Sequence, residues 1–246
     1  MLTELAKRYG PWIIYRLRDA RPALGDASIS TGALSLDLAI GAGGIPRGRI
    51  TELIGPASSG KSTLAFQLLS KAQQQGGFVA YIDARHDAAF DQMARCGVVL
   101  SDLFLTIPES APEALEIATL LIESGGLDAL VIAPLDELAS SRQLSERLAR
   151  LNAVMHASPT AVLFLTEARS ERATSRAMRH FASLRLQLDP LEPLFHSSGD
   201  VLGLRVRTKV LKNKLAPPGR EAVLELYRAG GIRRAADLLD LGKAFS

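Results

Sequence analysis

Residues 55–62, GPASSGKS, constrain this chain more than any other stretch. Gly55 is followed by four residues and then by Gly60, Lys61 and Ser62, which is the phosphate-binding pattern G-x-x-x-x-G-K-[ST]. Glycines in such a loop let successive backbone N–H groups turn inward around an anion. The lysine of the pattern reaches the β- and γ-phosphates, and its hydroxyl is placed to ligate Mg²⁺. The sequence therefore predicts a nucleotide site.

The residues on both sides of this loop have the order that a phosphate-binding loop requires. Residues 50–54 are typical of a short buried strand, and residues 64–75 predict a helix whose positive N-terminal end faces the loop. A glycine- and serine-rich turn that fits the pattern by chance is the alternative, and the flanking strand and helix argue against it. We predict that these residues contact the nucleotide: Gly55, Pro56, Ala57, Ser58, Ser59, Gly60, Lys61, Ser62 and Thr63.

The composition is that of an ordinary globular protein with one α/β domain. Of 246 residues, 47% are hydrophobic and 22% are charged, and the net charge of +3 does not by itself indicate a polyanionic partner. The aromatic content of 5% limits base stacking as a way of binding nucleic acid. Cys96 is the single cysteine and no apolar run is long enough to cross a membrane, so a cytoplasmic location is expected.

Strand-like and helix-like stretches alternate through most of the chain. This order predicts a parallel sheet covered by helices, and ligands bind at the carboxyl ends of such strands. Toward the C-terminal end, residues 183–189, 202–214 and 222–228 alternate apolar and polar positions, which predicts antiparallel strands. The expected fold is α/β, with a mainly parallel central sheet, flanking helices and an antiparallel extension. Residues 1–30 are expected to form an N-terminal arm of a helix plus a strand, and residues 31–246 the core.

Several collinear stretches carry a resemblance to a known family. They are ISTGALSLDLAIGAGGIPRGRI, GPASSGKS, YIDARH, KVLKNKLA and GGI followed by DLLDLG. With these motifs in this order, the sequence resembles the RecA family of recombination ATPases along essentially the whole chain, without a counterpart of that family's C-terminal domain. The resemblance implies a RecA-like P-loop NTPase core that binds ATP with Mg²⁺, with Ser62 on the metal, and that docks onto neighbouring protomers.

The sequence departs from the family at three positions near the nucleotide. The family has Asp-Ala-Glu-His after the phosphate-loop helix and uses the glutamate as general base, whereas Arg85 stands at that position here. The family aspartate that holds the Mg²⁺ shell is replaced by Ala133, with Asp136 a short way beyond the strand end. Glu167 replaces a glutamine that senses the γ-phosphate.

These replacements predict a degenerate catalytic site. A guanidinium is permanently protonated, so Arg85 cannot take a proton, and the loss of a general base costs about 10²–10⁴-fold in rate. ATP binding is therefore expected with weak or absent hydrolysis. The carboxylate of Glu167 would repel the γ-phosphate unless Mg²⁺ or Arg85 lies between them. Two arrangements are open, an Arg85–Glu167 ion pair or two separate solvated side chains.

The resemblance also implies roles for residues farther from the loop. Ala89 and Gln92 stand where the family grips the adenine with Asp and Tyr, so recognition of the base is expected to be weakened. Lys212 and Lys214 match the lysines that the family extends into the neighbouring protomer's nucleotide. They are therefore expected to act in trans, and exposed charge at the end of a strand is the alternative.

A series of arginines follows the strand that ends near Glu167. The candidates for DNA contact are Arg169, Arg172, Arg176 and Arg179. Their spacings of three, four and three place them in one stripe if they share a helix, where they could follow backbone phosphates without reading sequence. A solvated helix face, partly neutralised by nearby glutamates, is the alternative. The two loops with which the family spreads single-stranded DNA are expected to be shortened here.

A RecA paralogue with degraded catalytic carboxylates resembles the ImuA family of accessory proteins. That resemblance implies a role in the DNA-damage (SOS) response, in support of error-prone translesion synthesis. The implied partners are the RecA filament, an ImuB-like Y-family polymerase homologue and an error-prone C-family polymerase, in a bacterial cytoplasm and at the nucleoid when engaged. Two alternatives stay open. One is a minimal DNA-dependent ATPase or recombinase that rebuilt its site from Asp136 and Glu167, and the other is a RecA-filament regulator without a polymerase partner.

Overall fold

The computed structural model describes residues 28–134, 141–167 and 173–232. The strands are β1 (Ser28–Ile29), β2 (Ile45–Pro46), β3 (Arg49–Gly55), β4 (Val79–Asp83), β5 (Leu103–Thr106), β6 (Ala129–Ala133), β7 (Ala161–Glu167), β8 (Leu184–Phe195), β9 (Val201–Asn213), β10 (Glu221–Tyr227) and β11 (Gly231–Ile232). The helices are α1 (Leu34–Ile40), α2 (Lys61–Gln74), α3 (Phe90–Arg95), α4 (Ala111–Glu123), α5 (Ser141–Met155) and α6 (Ala173–Phe181), and a 3₁₀ turn precedes β5.

One nine-stranded sheet organises the molecule, in the order β11-β10-β9-β8-β3-β7-β6-β4-β5. The strands from β5 to β8 in this order pair in parallel, and those from β8 to β11 pair antiparallel. The predicted α/β class, the mainly parallel centre and the antiparallel extension are therefore confirmed. β1 and β2 form a separate antiparallel pair.

The two faces of the sheet pack against different helices. Every residue of β4 and of β6 is buried, as expected for parallel strands covered on both sides. On one face Leu53 packs in a cluster with Phe66 of α2, and on the other Ile50 packs in a cluster with residues of α4, α5 and α6. This packing fixes the carboxyl ends of β3, β4, β6 and β7 along one edge, where ligands of such sheets bind.

Two elements differ from the predicted boundaries for identifiable reasons. The helix-like stretch that starts at residue 86 in the sequence is helical only from Phe90, because the buried carboxylate of Asp83 accepts hydrogen bonds from the backbone N–H groups of Arg85, Asp87 and Ala88. These bonds hold the chain in a turn. The strand predicted to end at residue 189 continues to Phe195, and Pro190 lies at an irregularity in the pairing with β9, where a strand accommodates proline.

Most of the predicted N-terminal arm and the C-terminal end of the chain lie outside the described residues. Of the predicted arm, residues 1–27 are not among them, and Ser28–Ile29 pairs with β2. The stretch after residue 232, which contains the DLLDLG motif, and the position of Asp136 also lie outside them. Among the helices that the structure describes, no helix has the length and apolar character needed to cross a membrane.

Candidate nucleotide site

The phosphate loop connects β3 to α2, so the strand and helix predicted on either side of it are confirmed. Gly60 caps the helix with a φ of +90°, a conformation that glycine adopts without strain. A Cβ atom at Gly60 would lie 2.2 Å from Cδ1 of Leu226, and one at Gly55 would lie 2.5 Å from the carbonyl oxygen of Leu188. Gly60 is therefore favoured by its backbone conformation and by the approach of β10, and Gly55 by the approach of β8.

Lys61 lies over the loop with its ammonium bound to the loop's own oxygens. Its Nζ donates to the carbonyl oxygens of Gly55 at 2.9 Å and Pro56 at 2.7 Å, and to Oγ of Ser59 at 3.4 Å. These bonds hold a positive charge at the loop. An anionic phosphate placed in the loop would meet this ammonium and the N-terminal end of α2 together.

A cavity of about 490 Å³ opens beside the loop, a size ordinary for a small-molecule site. One side consists of loop and helix residues 58–63 together with Gln92, whose Nε2 donates to Oγ1 of Thr63 at 2.8 Å. The other side comes from the antiparallel extension and consists of Pro193, Val201, Gly203, Leu204, Leu226, Tyr227 and Arg228. The cavity therefore continues from the phosphate loop toward an apolar and aromatic wall.

Sequence reasoning did not identify this wall. Tyr227 is held by a chain of polar contacts, since its hydroxyl donates to Oε2 of Glu225 at 2.8 Å and Arg205 pairs with Oε1 of the same carboxylate at 2.9 Å. An aromatic ring fixed beside a nucleotide-sized cavity can take the base of a nucleotide. The alternation of β10 predicts which residues are buried, but it does not show that the outer end of this strand faces the loop.

The three replaced positions come together at the carboxyl ends of neighbouring strands. Asp83 of β4 is the register partner of Ala133, and Gly55 of β3 is the register partner of Glu167. Nη1 of Arg85 lies 3.4 Å from Oε1 of Glu167, with the arginine side chain 42% exposed and the glutamate 20% exposed. The structure therefore contains the predicted ion pair and not two separate solvated side chains.

This arrangement offers no free general base among the described residues at the strand ends. Arg85 only donates, Ala133 has no polar side chain, and the carboxylate of Glu167 is engaged by the guanidinium. The Asp83 carboxylate, which sequence reasoning did not single out, is only 2% exposed and accepts the three backbone N–H bonds that shape the following turn. Asp83 positions Arg85 and does not face solvent as a base.

The donor set fits phosphate better than it fits a metal ion. Ser62 provides one hydroxyl at the end of the loop, but Ala133 offers no oxygen at the strand end that the resemblance assigns to the Mg²⁺ shell. Among the residues that the structure describes, no group of three or more His, Cys, Asp or Glu side chains could hold a metal ion. The guanidinium of Arg85 adds a positive charge near the place where a metal would bind.

The basic residues predicted for trans contacts and DNA are near one another. Nζ of Lys212 donates to the carbonyl oxygens of Arg179 at 2.5 Å and His180 at 3.2 Å, and so caps the C-terminal end of α6. Burial first, and then the charges of Lys214 and Arg185, lower the pKa of Lys212. Lys212 is thus engaged within its own chain, whereas Lys214 is exposed.

Helix α6 carries two of the four predicted DNA contacts. Arg176 and Arg179 are exposed on it, while Ala177 and Met178 face the core. Arg169 and Arg172 lie outside the described residues, so the full stripe stays a prediction. Together with Lys214, the two exposed arginines make this end of the molecule basic.

Comparison with known proteins agrees with this geometry. Residues 1–233 match the model of the RecA N-terminal domain. The chain is 38% identical to RecA of Geobacter sulfurreducens over 267 residues, covering 98% of this chain and 78% of that protein. It is 36% identical to RecA of Thermus thermophilus over 271 residues, covering 99% and 79%. It is 35% identical to RecA of Chloroflexus aurantiacus over 269 residues, covering 98% and 76%. These similarities agree with the sheet and the phosphate loop of the structure. The chain belongs to the RecA family.

Proposed function

We propose that this chain binds a nucleoside triphosphate without efficient hydrolysis and acts as an accessory protein to RecA in DNA repair. The observation that carries the proposal is that an intact phosphate-loop motif and replaced catalytic residues lie at the same edge of the sheet. Beside a complete phosphate loop, Arg85 and Ala133 occupy strand ends where the resemblance expects a general base and a metal-binding carboxylate, and Arg85 engages Glu167. Such a site can retain binding while it loses the chemistry, because a loop of N–H groups does not depend on those carboxylates.

The binding half of the proposal rests on three groups of this chain. Lys61 and the N-terminal end of α2 supply positive charge to the phosphates. The cavity beside the loop extends to the fixed ring of Tyr227, which offers a surface for the base. Gln92 lies at the same cavity, so a polar side chain remains at one of the two positions where weak base recognition is expected.

The accessory half of the proposal rests on a difference between the nucleotide site of this chain and the residue that it can offer to a neighbour's site. Lys214 is exposed and can extend toward a neighbour's nucleotide, whereas the described part of the chain's own site offers no general base. A protomer of this kind would join the end of a RecA filament or modify its activity rather than build an active filament. Lys212 would have to leave the end of α6 before it could act in the same way.

Within the RecA family, the ImuA-type role agrees best with this degenerate site. In that role the chain supports error-prone translesion synthesis during the SOS response, in the bacterial cytoplasm and at the nucleoid. Its partners would be the RecA filament, an ImuB-like Y-family polymerase homologue and an error-prone C-family polymerase. The exposed Arg176 and Arg179 would contact DNA through backbone phosphates, so DNA affinity should fall as salt rises.

A second function is favoured by the identity of 38% to a protein named RecA. In this alternative the chain is a minimal DNA-dependent ATPase of homologous recombination and repair. Its site would need a carboxylate to replace the missing general base. Glu167 is the described candidate, and its engagement by Arg85 at 3.4 Å argues against that role.

Addition of the purified chain to RecA filaments on single-stranded DNA tests the accessory role. We expect shorter filaments and lower RecA turnover of ATP, and a Lys214→Ala variant should weaken both effects. Lys209→Ala is a matched control, since Lys209 lies on β9, five residues before Lys214, but pairs with Glu221 at 3.3 Å. Active filaments formed by this chain alone would contradict the accessory role and favour the recombinase alternative.

A further inference from the structure

We propose that Arg85 is a phosphate ligand in this site and that its guanidinium takes the place of the divalent cation. The chain would then bind a nucleoside triphosphate as the metal-free anion. This inference rests on the proposed binding of a nucleotide at the phosphate loop. It adds that the nucleotide is bound without a divalent cation. It follows from the position of Arg85, from the groups that hold it there and from the lack of metal-binding oxygens at the strand ends that the structure describes.

The position of Arg85 places its charge beside the phosphate loop. Glu167 is the register partner of Gly55, and neighbouring strands lie about 4.8 Å apart. Nη1 of Arg85 is 3.4 Å from Oε1 of Glu167, and Nζ of Lys61 is 2.9 Å from the carbonyl oxygen of Gly55. Two cations therefore lie close to the first residue of the loop, one from α2 and one from the turn after β4.

The turn that carries Arg85 is fixed by its own hydrogen bonds. The buried carboxylate of Asp83 accepts from the N–H groups of Arg85 at 3.3 Å, Asp87 at 3.2 Å and Ala88 at 2.9 Å. The backbone of Arg85 is thus held at the strand end, while its side chain remains 42% exposed and able to reach an incoming anion. Asp83 is a positioning residue for this guanidinium.

The chemistry of a guanidinium suits this task. It stays charged at all physiological pH values and presents five donors in a planar fork, so it can bind a carboxylate with one edge and a phosphate with another. Arg85 can therefore bridge Glu167 and the terminal phosphate. In that arrangement it also screens the phosphate from the negative charge of Glu167, which would otherwise oppose binding.

The groups around Arg85 do not favour a divalent cation. Ala133 supplies no oxygen, the Asp83 oxygens are used by the backbone, and the Glu167 carboxylate already has a cationic partner. Ser62 is the loop hydroxyl that remains for a metal. A magnesium ion would take its other oxygens from the phosphates and from water, and the described strand ends offer it no further carboxylate. A metal ion at this edge would also be repelled by the guanidinium.

The test is a calorimetric titration of ATP into the full chain, in a buffer with MgCl₂ and in one with EDTA. We expect the wild-type Kd in EDTA to stay within about threefold of that in MgCl₂. Arg85→Ala should weaken binding in EDTA by about tenfold or more, since it removes a charge-assisted hydrogen bond. Arg85→Lys should recover part of that loss, because it restores the charge but not the planar fork.

A matched control separates this role from a general effect of arginine removal. Arg147 forms an ion pair of the same 3.4 Å length with Glu116 on the outer helices and is 39% exposed. Arg147→Ala should leave the Kd unchanged in both buffers. Glu167→Gln should tighten binding in EDTA, because it removes a negative charge that opposes the phosphates. In this Glu167→Gln background Arg85→Ala should still weaken binding by about tenfold, whereas an arginine that only neutralises Glu167 would give no such loss.

The outcomes distinguish this inference from the proposed function. Binding that is retained in MgCl₂ and lost in EDTA would overturn the metal-free site and leave nucleotide binding intact. Equal effects of Arg85→Ala and Arg147→Ala would overturn the role of Arg85 as a ligand. Absence of binding in both buffers, with Lys61→Ala indistinguishable from wild type, would overturn the inference together with nucleotide binding.

Discussion

The phosphate loop and the neighbouring strand ends lie at one edge of the same sheet but depend on the sequence in different ways. The loop works through its backbone. A Cβ atom added at Gly55 would lie 2.5 Å from the carbonyl oxygen of Leu188 in β8, and one added at Gly60 would lie 2.2 Å from Cδ1 of Leu226 in β10. The strand ends work through side chains alone, and Arg85, Ala133 and Glu167 sit there without disturbing the fold. Binding and hydrolysis can therefore be lost separately in a RecA core.

The packing around the two regions explains why only one of them has changed. Gly55 and Gly60 of the loop lie against β8 and β10, so a substitution at either glycine costs stability as well as binding. Arg85 is 42% exposed at the end of a fixed turn, where many side chains fit. Replacement of a catalytic side chain at such a position changes the chemistry and leaves the core as it is.

The largest expected effect comes from reversing the strand-end changes. A variant with Arg85→Glu, Ala133→Asp and Glu167→Gln carries the residues that the resemblance places there, including a general base. Its ATP turnover should exceed that of the wild type by about 10²-fold, the lower limit of what a general base contributes. A steady-state assay compares the ATP turnover of the variant with that of the wild type, and circular dichroism verifies that the variant is folded. If the folded variant stays at the wild-type rate, the loss of hydrolysis has a cause outside these three positions.

Removal of the loop lysine tests the other region. Lys61→Ala should weaken ATP binding by about 10- to 100-fold, because a hydrogen bond to a charged group contributes about 1.5–3 kcal/mol. Lys71→Ala, in the last turn of the same helix, is the control and should leave the affinity unchanged, since Nζ of Lys71 bonds to Gln74. Equal affinities of the two variants in a fluorescence titration would show that the loop does not hold the phosphates.

The glycines of the loop allow a matched comparison of stability. Gly60→Ala should destabilise the fold by about 1–3 kcal/mol more than Gly76→Ala, which is the range for an overpacked site. Both residues have a φ near the left-handed region, at +90° and +80°, but a Cβ atom at Gly76 meets nothing within 4 Å. Denaturation in guanidinium chloride measures the difference. Equal losses would mean that the close approach of Leu226 does not constrain the loop.

The smallest effect is expected for the ion pair itself. A double-mutant cycle with Arg85→Ala and Glu167→Ala should give a coupling free energy of unfolding below about 1 kcal/mol, because exposed ion pairs are screened by water. Urea denaturation of the four proteins provides this value. A coupling well above that range would mean that the pair is retained for stability, and the contrast between loop and strand ends would lose its functional basis.

Local patterns in the sequence predicted the fold and the place of the phosphate loop in it. The parallel strands, the phosphate loop and the antiparallel extension follow from periodicity and motif order, whereas the Arg85–Glu167 pair is one of two arrangements that the sequence leaves open. Contacts between distant segments could not be predicted in this way. The capping of α6 by Lys212 and the cavity wall around Tyr227 depend on contacts between segments far apart in the sequence, which no local pattern encodes.

The central claim, binding without efficient hydrolysis, is tested most directly by ATP turnover with and without single-stranded DNA. Lys61→Ala serves as the blank, and nucleotide binding by the wild type is measured in the same buffer. We predict bound nucleotide and turnover indistinguishable from the blank, whether or not DNA is present. Turnover above the blank that DNA stimulates would contradict the claim and identify the chain as a working DNA-dependent ATPase.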